Sequence, residues 1–218
     1  MPDSRRLLRV DIYQKLRDEI LGCELRPGSD LREQQLASRF AVSKSPVRDA
    51  LLRLEREHLV TISPRQGYRV APISLSDARE MFRLRLVLET ACAQEAARSA
   101  SDDELAALDR FRKGPANGSP AAFIAYNQDF HCSVARLCGN KRMTLAACEM
   151  IEQMHRLVRM SVDAVQRRNV SALVREHSAI VDALEDRDGR RASALLRAHI
   201  EAAERRVADA LSRAAIHA

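Results

Sequence analysis

Strand-like alternation occurs at one place only in this 218-residue sequence. Between Leu59 and Val70, Val60 and Ile62 alternate with Thr61, and Tyr68 and Val70 flank Arg69, around the turn Pro64-Arg65-Gln66-Gly67. The pattern predicts a short hairpin with a basic, glycine-containing tip. Elsewhere the apolar spacing is helical. The chain must therefore bury a small hairpin-bearing unit and then pack helices on helices. Composition agrees: aromatic residues are 4%, Trp is absent, and Ala, Leu and Arg dominate, which favours helices.

Three helices precede the hairpin. The first spans about Leu8 to Leu21, with Ile12, Tyr13, Leu16 and Ile20 on one face. Pro27-Gly28 breaks the chain, and the second helix covers about Arg32 to Phe40. After the tight turn Ala41-Val42-Ser43, the third runs from about Ser45 to His58, burying Val47, Ala50, Leu51 and Leu54. Ser43 or Ser45 can cap it, and Pro46 is tolerated in a first turn whose N–H groups lack partners.

Beyond the linker Ala71-Pro72-Ile73, Ser74-x-x-Asp77 opens a helix through Arg98 and Ser101-x-x-Glu104 a short one. Further helices are expected over Ser119–Cys138, Lys141–Arg167, Val170–Glu185 and from Gly189 to about Arg213. The expected fold is mainly α: a winged helix-turn-helix over residues 1–72, then an all-α antiparallel bundle of about six helices over 73–218.

Charge is unevenly placed. Residues 1–72 hold 14 Lys/Arg against 10 Asp/Glu, and the remainder 22 against 20, so the cationic excess sits in the first third of the chain. That favours a polyanion partner there. The five cysteines show no CxxC pair, as expected of reduced thiols. Neither a signal peptide nor an apolar run of roughly 18 residues is present, so a cytoplasmic location away from membranes is expected.

In a winged helix-turn-helix the second helix of the motif reads base edges from its N-terminal residues. Lys44, Ser45 and Arg48 lie there, off the apolar face, and Arg or Lys can pair with guanine O6 and N7. Gln34 in the preceding helix, Arg65 at the wing tip and Gly67, which could let the wing backbone approach closely, complete the candidate set for double-stranded DNA.

Three histidines share a feature: His131, His177 and His199 each lie on the apolar stripe of a different helix. An unpaired polar group there is costly, so each is either a hydrogen-bonded core residue or a ligand. Asn127 stands one turn before His131 on the same face. Asn127, His131, His177 and His199 together would suit a divalent, imidazole-preferring metal such as zinc or nickel. His155 lies near an apolar stripe, while His58 and His217 are peripheral.

The segment LRPGSDLREQQLASRFAVSKSPVRDALLRLEREHLVTISPRQGYRV closely resembles the DNA-binding domain of the GntR family of bacterial regulators, especially in Val42-Ser43-Lys44-Ser45-Pro46-Val47-Arg48 and the Gly67-Tyr68 wing. By that resemblance Gln34, Lys44, Arg48 and Gly67 stand where the family contacts operator DNA. Gln34 and Lys44 occupy places where Arg is common, and Ala41 the usual turn Gly. Residues 76–210 resemble the FCD effector domain of the FadR-type branch, in Arg85-x-x-Leu88-Glu89, Asn127-Gln128-Asp129-Phe130-His131, Gly139-Asn140, Glu176-His177 and His199. With six expected helices the domain resembles the shorter, VanR-like subgroup. The resemblance implies one divalent metal held by an Asp or Asn and three His, here with Asn127 where Asp is common, and a carboxylate metabolite anchored on it.

Arg85 can hold the effector's carboxylate as a bidentate donor or pair with Glu89 at i+4. These readings predict a homodimeric, ligand-responsive repressor. Two alternatives remain at this level: a metalloenzyme, without HExxH or an evident general base, and a DNA-binding protein whose histidines are structural only.

Overall fold

The computed structural model describes residues 3–63, 67–115, 119–159 and 170–216. The chain forms two compact units, residues 1–73 and 74–218. The first contains α1 (Asp3–Leu21), β1 (Asp30–Leu31), α2 (Glu33–Arg39), α3 (Lys44–Arg56), β2 (Val60–Ser63) and β3 (Gly67–Val70). Strands β2 and β3 pair antiparallel with Val60 opposite Val70 and Ile62 opposite Tyr68. A strand not expected from the sequence, β1, adds to the other edge of β3, giving the order β1-β3-β2.

Leu16 and Ile20 of α1, Val47, Leu51 and Leu54 of α3, and Leu59 and Val70 around the hairpin are fully buried in one core. The apolar stripe expected for α3 is the buried face, which leaves Lys44, Ser45 and Arg48 outside. Ser43 is its N-cap residue, but neither it nor Ser45 supplies the expected side-chain cap. Helix α1 begins at Asp3, five residues before the sequence reading placed it.

The turn between α2 and α3 passes through Ala41 in the left-handed region, with φ at 53°. That conformation costs an L-residue about 1–2 kcal/mol, while glycine adds about 0.5–1 kcal/mol of chain entropy. Ala41→Gly is therefore expected to stabilise the protein by up to about 1 kcal/mol, read as a higher urea midpoint at constant slope. A lower midpoint would mean that the turn is not strained.

The second unit contains α4 (Leu75–Ser99), α5 (Asp102–Ala106), a 3-10 turn (Ala107–Arg112), α6 (Pro120–Arg136), α7 (Lys141–Gln153), a segment α8 described over residues 155–159, α9 (Val170–Glu185) and α10 (Gly189–Ile216). Its caps follow the sequence. Ser74 accepts from the Asp77 N–H, Ser101 and Glu104 form a reciprocal capping box, and Ser119 caps α6 with Pro120 in the first turn. The helix expected over Lys141–Arg167 is instead interrupted by a turn at Met154, and its stretch 160–169 lies outside the described residues. Helix α4 packs on α6, α7, α9 and α10 and is the spine of the unit.

Candidate functional site

Four helices meet around a histidine triad. His131 of α6, His177 of α9 and His199 of α10 are 1%, 0% and 4% exposed, and one ligand atom from each lies within 4.8 Å of the others. Neighbours fix their tautomers. Tyr126 donates its hydroxyl to the Phe111 carbonyl at 2.6 Å, so the contact of His177 Nδ1 with the Tyr126 hydroxyl oxygen, at 3.2 Å, requires an Nδ1–H that the oxygen accepts. His131 Nδ1 lies 2.6 Å from Glu89 and His199 Nδ1 2.6 Å from Glu176, and each donates to the carboxylate. All three rings therefore turn Nε2 lone pairs inward.

Two of those lone pairs meet: His177 Nε2 and His199 Nε2 are 3.3 Å apart, and His131 Nε2 is buried without any partner. Lone pairs facing each other in a dry interior repel unless a proton or a cation lies between them. The proton is disfavoured. Burial pushes His131 down to about 4 despite Glu89, with Arg85 adding to the effect. Burial, then His199 and His131, drive His177 well below its ordinary range, and burial also lowers His199 against Glu176. Neutral imidazoles with Nδ1–H groups held by carboxylate or hydroxyl oxygens are what a divalent metal requires of its ligands.

Helix α4 completes the site. Arg85 and Glu89, 3% and 2% exposed, form an ion pair one turn apart through the arginine Nε. Burial would raise Glu89, but Arg85 and then His131 outweigh it and hold the carboxyl at about 2. Of the two readings of Arg85, the pairing with Glu89 is present through Nε, and Nη2 is buried without a hydrogen-bond partner. Arg206 of α10 is half-buried close to Glu176 and Arg85, and burial lowers its pKa.

Asn127 lies on α6 one turn before His131 and is half-buried. His155 is not among the residues that converge, and Asp129 is turned away, paired with Arg110 and Arg136. Sequence reasoning named the three histidines but missed the residues that orient them, Glu89, Tyr126 and Glu176. Glu176 adjoins His177, yet it serves His199 across the helix pair, a relation that spacing within α9 cannot reveal.

In the first unit, Gln34, Lys44, Ser45 and Arg48 are exposed on α2 and the start of α3. Gly67 is exposed at the start of β3 with φ at 101°, a conformation side-chain-bearing residues rarely adopt. Arg65 lies outside the described residues. One contact was not anticipated. Arg48 grips Glu33, the first residue of α2, through Nε and Nη2, both at 2.8 Å.

Among the described residues no helix is long and apolar enough to cross a membrane. Residues 8–70 match the family of bacterial regulatory proteins called gntR, and residues 80–202 match the FCD domain. The chain is 27% identical over 194 residues to the HTH-type transcriptional repressor RspR of Escherichia coli, covering 87% of this chain and 84% of that protein. It is 32% identical over 200 residues to the HTH-type transcriptional regulator BphR of Paraburkholderia xenovorans, covering 87% and 80%. The solved structure of E. coli McbR/YncC superposes with a TM-score of 0.74 at 20% identity, covering 89% of this chain and 93% of that one, and shares the fold.

Proposed function

Because the chain belongs to the GntR family of bacterial transcriptional regulators and carries an FCD domain, we propose that it is a homodimeric cytoplasmic repressor released from its operator by a small carboxylate. The family consists of DNA-binding regulators, not enzymes, which retires the metalloenzyme alternative. In this reading Lys44, Ser45 and Arg48 of α3 face the major groove, with Gln34, Arg65 and Gly67 alongside. His131, His177, His199 and Asn127 would hold one zinc or nickel ion, which when bound offers a carboxylate oxygen an electron-pair acceptor.

The observation that carries the effector reading is the convergence of three fixed imidazole lone pairs beside the buried, unpartnered Nη2 of Arg85. Triad and guanidinium present an electron-pair-donating cluster and a cationic fork at one place. A divalent ion would satisfy the lone pairs, and an anionic oxygen ligand would then suit both that ion and the guanidinium, with Arg206 adding positive potential from α10. Glu89 and Tyr126 orient the imidazoles of His131 and His177. Binding has to bias two arrangements of the chain to weaken DNA affinity, with a coupling of about 1–3 kcal/mol.

Thermal shift of zinc- or nickel-loaded protein against a panel of small mono- and dicarboxylates tests it. At least one is expected to raise the melting temperature by several degrees and to lower affinity for a duplex selected by the protein from a random library. Arg85→Lys keeps the charge beside Glu89 but loses the planar fork, so the shift is expected to shrink. A panel without any shift, or an undiminished one in Arg85→Lys, would remove the carboxylate anchor from this reading.

A further inference from the structure

A carboxylate stands where a DNA reader gains least from one. Glu33 opens α2, is half-buried, and is held below the usual carboxylate range by its hydrogen bonds to Arg48, with Lys44 nearby. It stays anionic beside the exposed basic residues of α3. Electrostatics alone disfavours that arrangement, since a negative charge at a phosphate-facing surface weakens association. The geometry of the fork supplies a reason for it.

A guanidinium presents two edges that can each donate a pair of parallel hydrogen bonds: Nε with one Nη, and the two Nη atoms together. Glu33 occupies the first, taking Nε and Nη2 at 2.8 Å each. The second edge is left for an external acceptor pair, and guanine O6 and N7 are such a pair in the major groove. Arg48 itself is 57% exposed, and its long side chain would otherwise sample many rotamers. Anchoring from α2 fixes the plane of the guanidinium relative to α3, so less freedom is lost on docking.

We propose that Glu33 is a specificity-determining positioning residue: by holding the Nε edge of Arg48 it aims the opposite edge at one guanine of the operator. The inference rests on the reading of α3 as the recognition helix. Glu33 is expected to trade affinity for any duplex against discrimination between duplexes.

The test uses full-length protein, a duplex that wild type selects from a random 20-base-pair library, and a scrambled duplex of equal composition. Glu33→Ala is expected to bind the scrambled duplex as well as wild type or a few-fold tighter, with a steeper salt dependence, because an anion has left the surface. Its preference for the selected duplex is expected to fall on the order of 10-fold, with one guanine position becoming degenerate when the selection is repeated. Glu33→Gln should move the same way by less. Adding Glu33→Ala to Arg48→Ala should cost no further discrimination, since the two act as one unit.

A residue serving only the fold of α2 would instead lower binding to both duplexes together, and that result overturns the inference, as does unchanged discrimination in Glu33→Ala. The control separates the two levels. If Arg48→Ala loses discrimination and Glu33→Ala does not, only the positioning role falls. If Arg48→Ala also keeps it, the recognition-helix reading falls as well.

Discussion

His177→Ala is expected to purify without metal, where untagged wild type prepared without chelators carries about one divalent transition ion per chain. The reason is the position of His177 within the cluster. Its Nε2 faces that of His199, and its Nδ1 is fixed by Tyr126, so removing it leaves two imidazoles that cannot close a three-nitrogen site. A metal at 100 to 1,000 times its dissociation constant adds about 3–4 kcal/mol to the folded state. In a chain of this size that corresponds to roughly 6–16 °C of melting temperature.

Alanine also removes a ring stacked 3.8 Å from Phe130, so the variant's lower stability does not by itself identify a metal. The chelator response does. Wild type should lose stability on chelation and regain it with zinc or nickel, while His177→Ala should be indifferent to both. A wild type that holds no metal and ignores chelator and added ion alike would show the triad to be a packed polar cluster.

That site was legible in the sequence to the depth that one helix can report. A histidine on an apolar stripe announces that it is buried, and three on separate helices announce that they can meet. Periodicity says nothing about what stands behind each ring. Glu89 was visible only as the i+4 partner of Arg85, and its bond to His131 crosses from α4 to α6. Tyr126 and Glu176 orient histidines on other helices, and such pairings are tertiary facts.

The fold shows the same division. The buried face of α3, the hairpin and the caps at Ser74, Ser101 and Ser119 rest on local chemistry and were readable. Strand β1 was not: two residues, of which only Leu31 is buried, carry no alternation. Nor was the turn at Met154, where the chain has neither Gly nor Pro and the apolar period continues through it. Glu33 escaped for a third reason. As the first residue of α2 it reads as a helix-dipole partner, and its grip on Arg48 exists only once α2 and α3 cross.

In the homodimer proposed above, Val87→Asp combined with Leu145→Asp is expected to separate the two chains. Among the described residues few large apolar side chains are left in water, and Val87 and Leu145 are the most exposed of them, at 67% and 70%. Leu84, one turn from Val87 on α4, is 45% exposed, and α7, which carries Leu145, packs directly against α4. Apolar groups left outside on two adjoining helices fit a surface covered by a second copy of the chain, and a two-fold arrangement presents two recognition helices to a palindromic site. Carboxylates placed there would be desolvated opposite one another. Because both positions are exposed, thermal stability of the single chain should change by no more than about 0.5 kcal/mol. Sedimentation should report one chain instead of two. Affinity for a two-half-site duplex should fall about 10²- to 10⁴-fold, the advantage that linking two binding modules confers, while affinity for a single half-site stays unchanged. A double variant that remains dimeric would move the interface elsewhere. One that becomes monomeric yet keeps its affinity for the full site would show that operator binding does not depend on pairing.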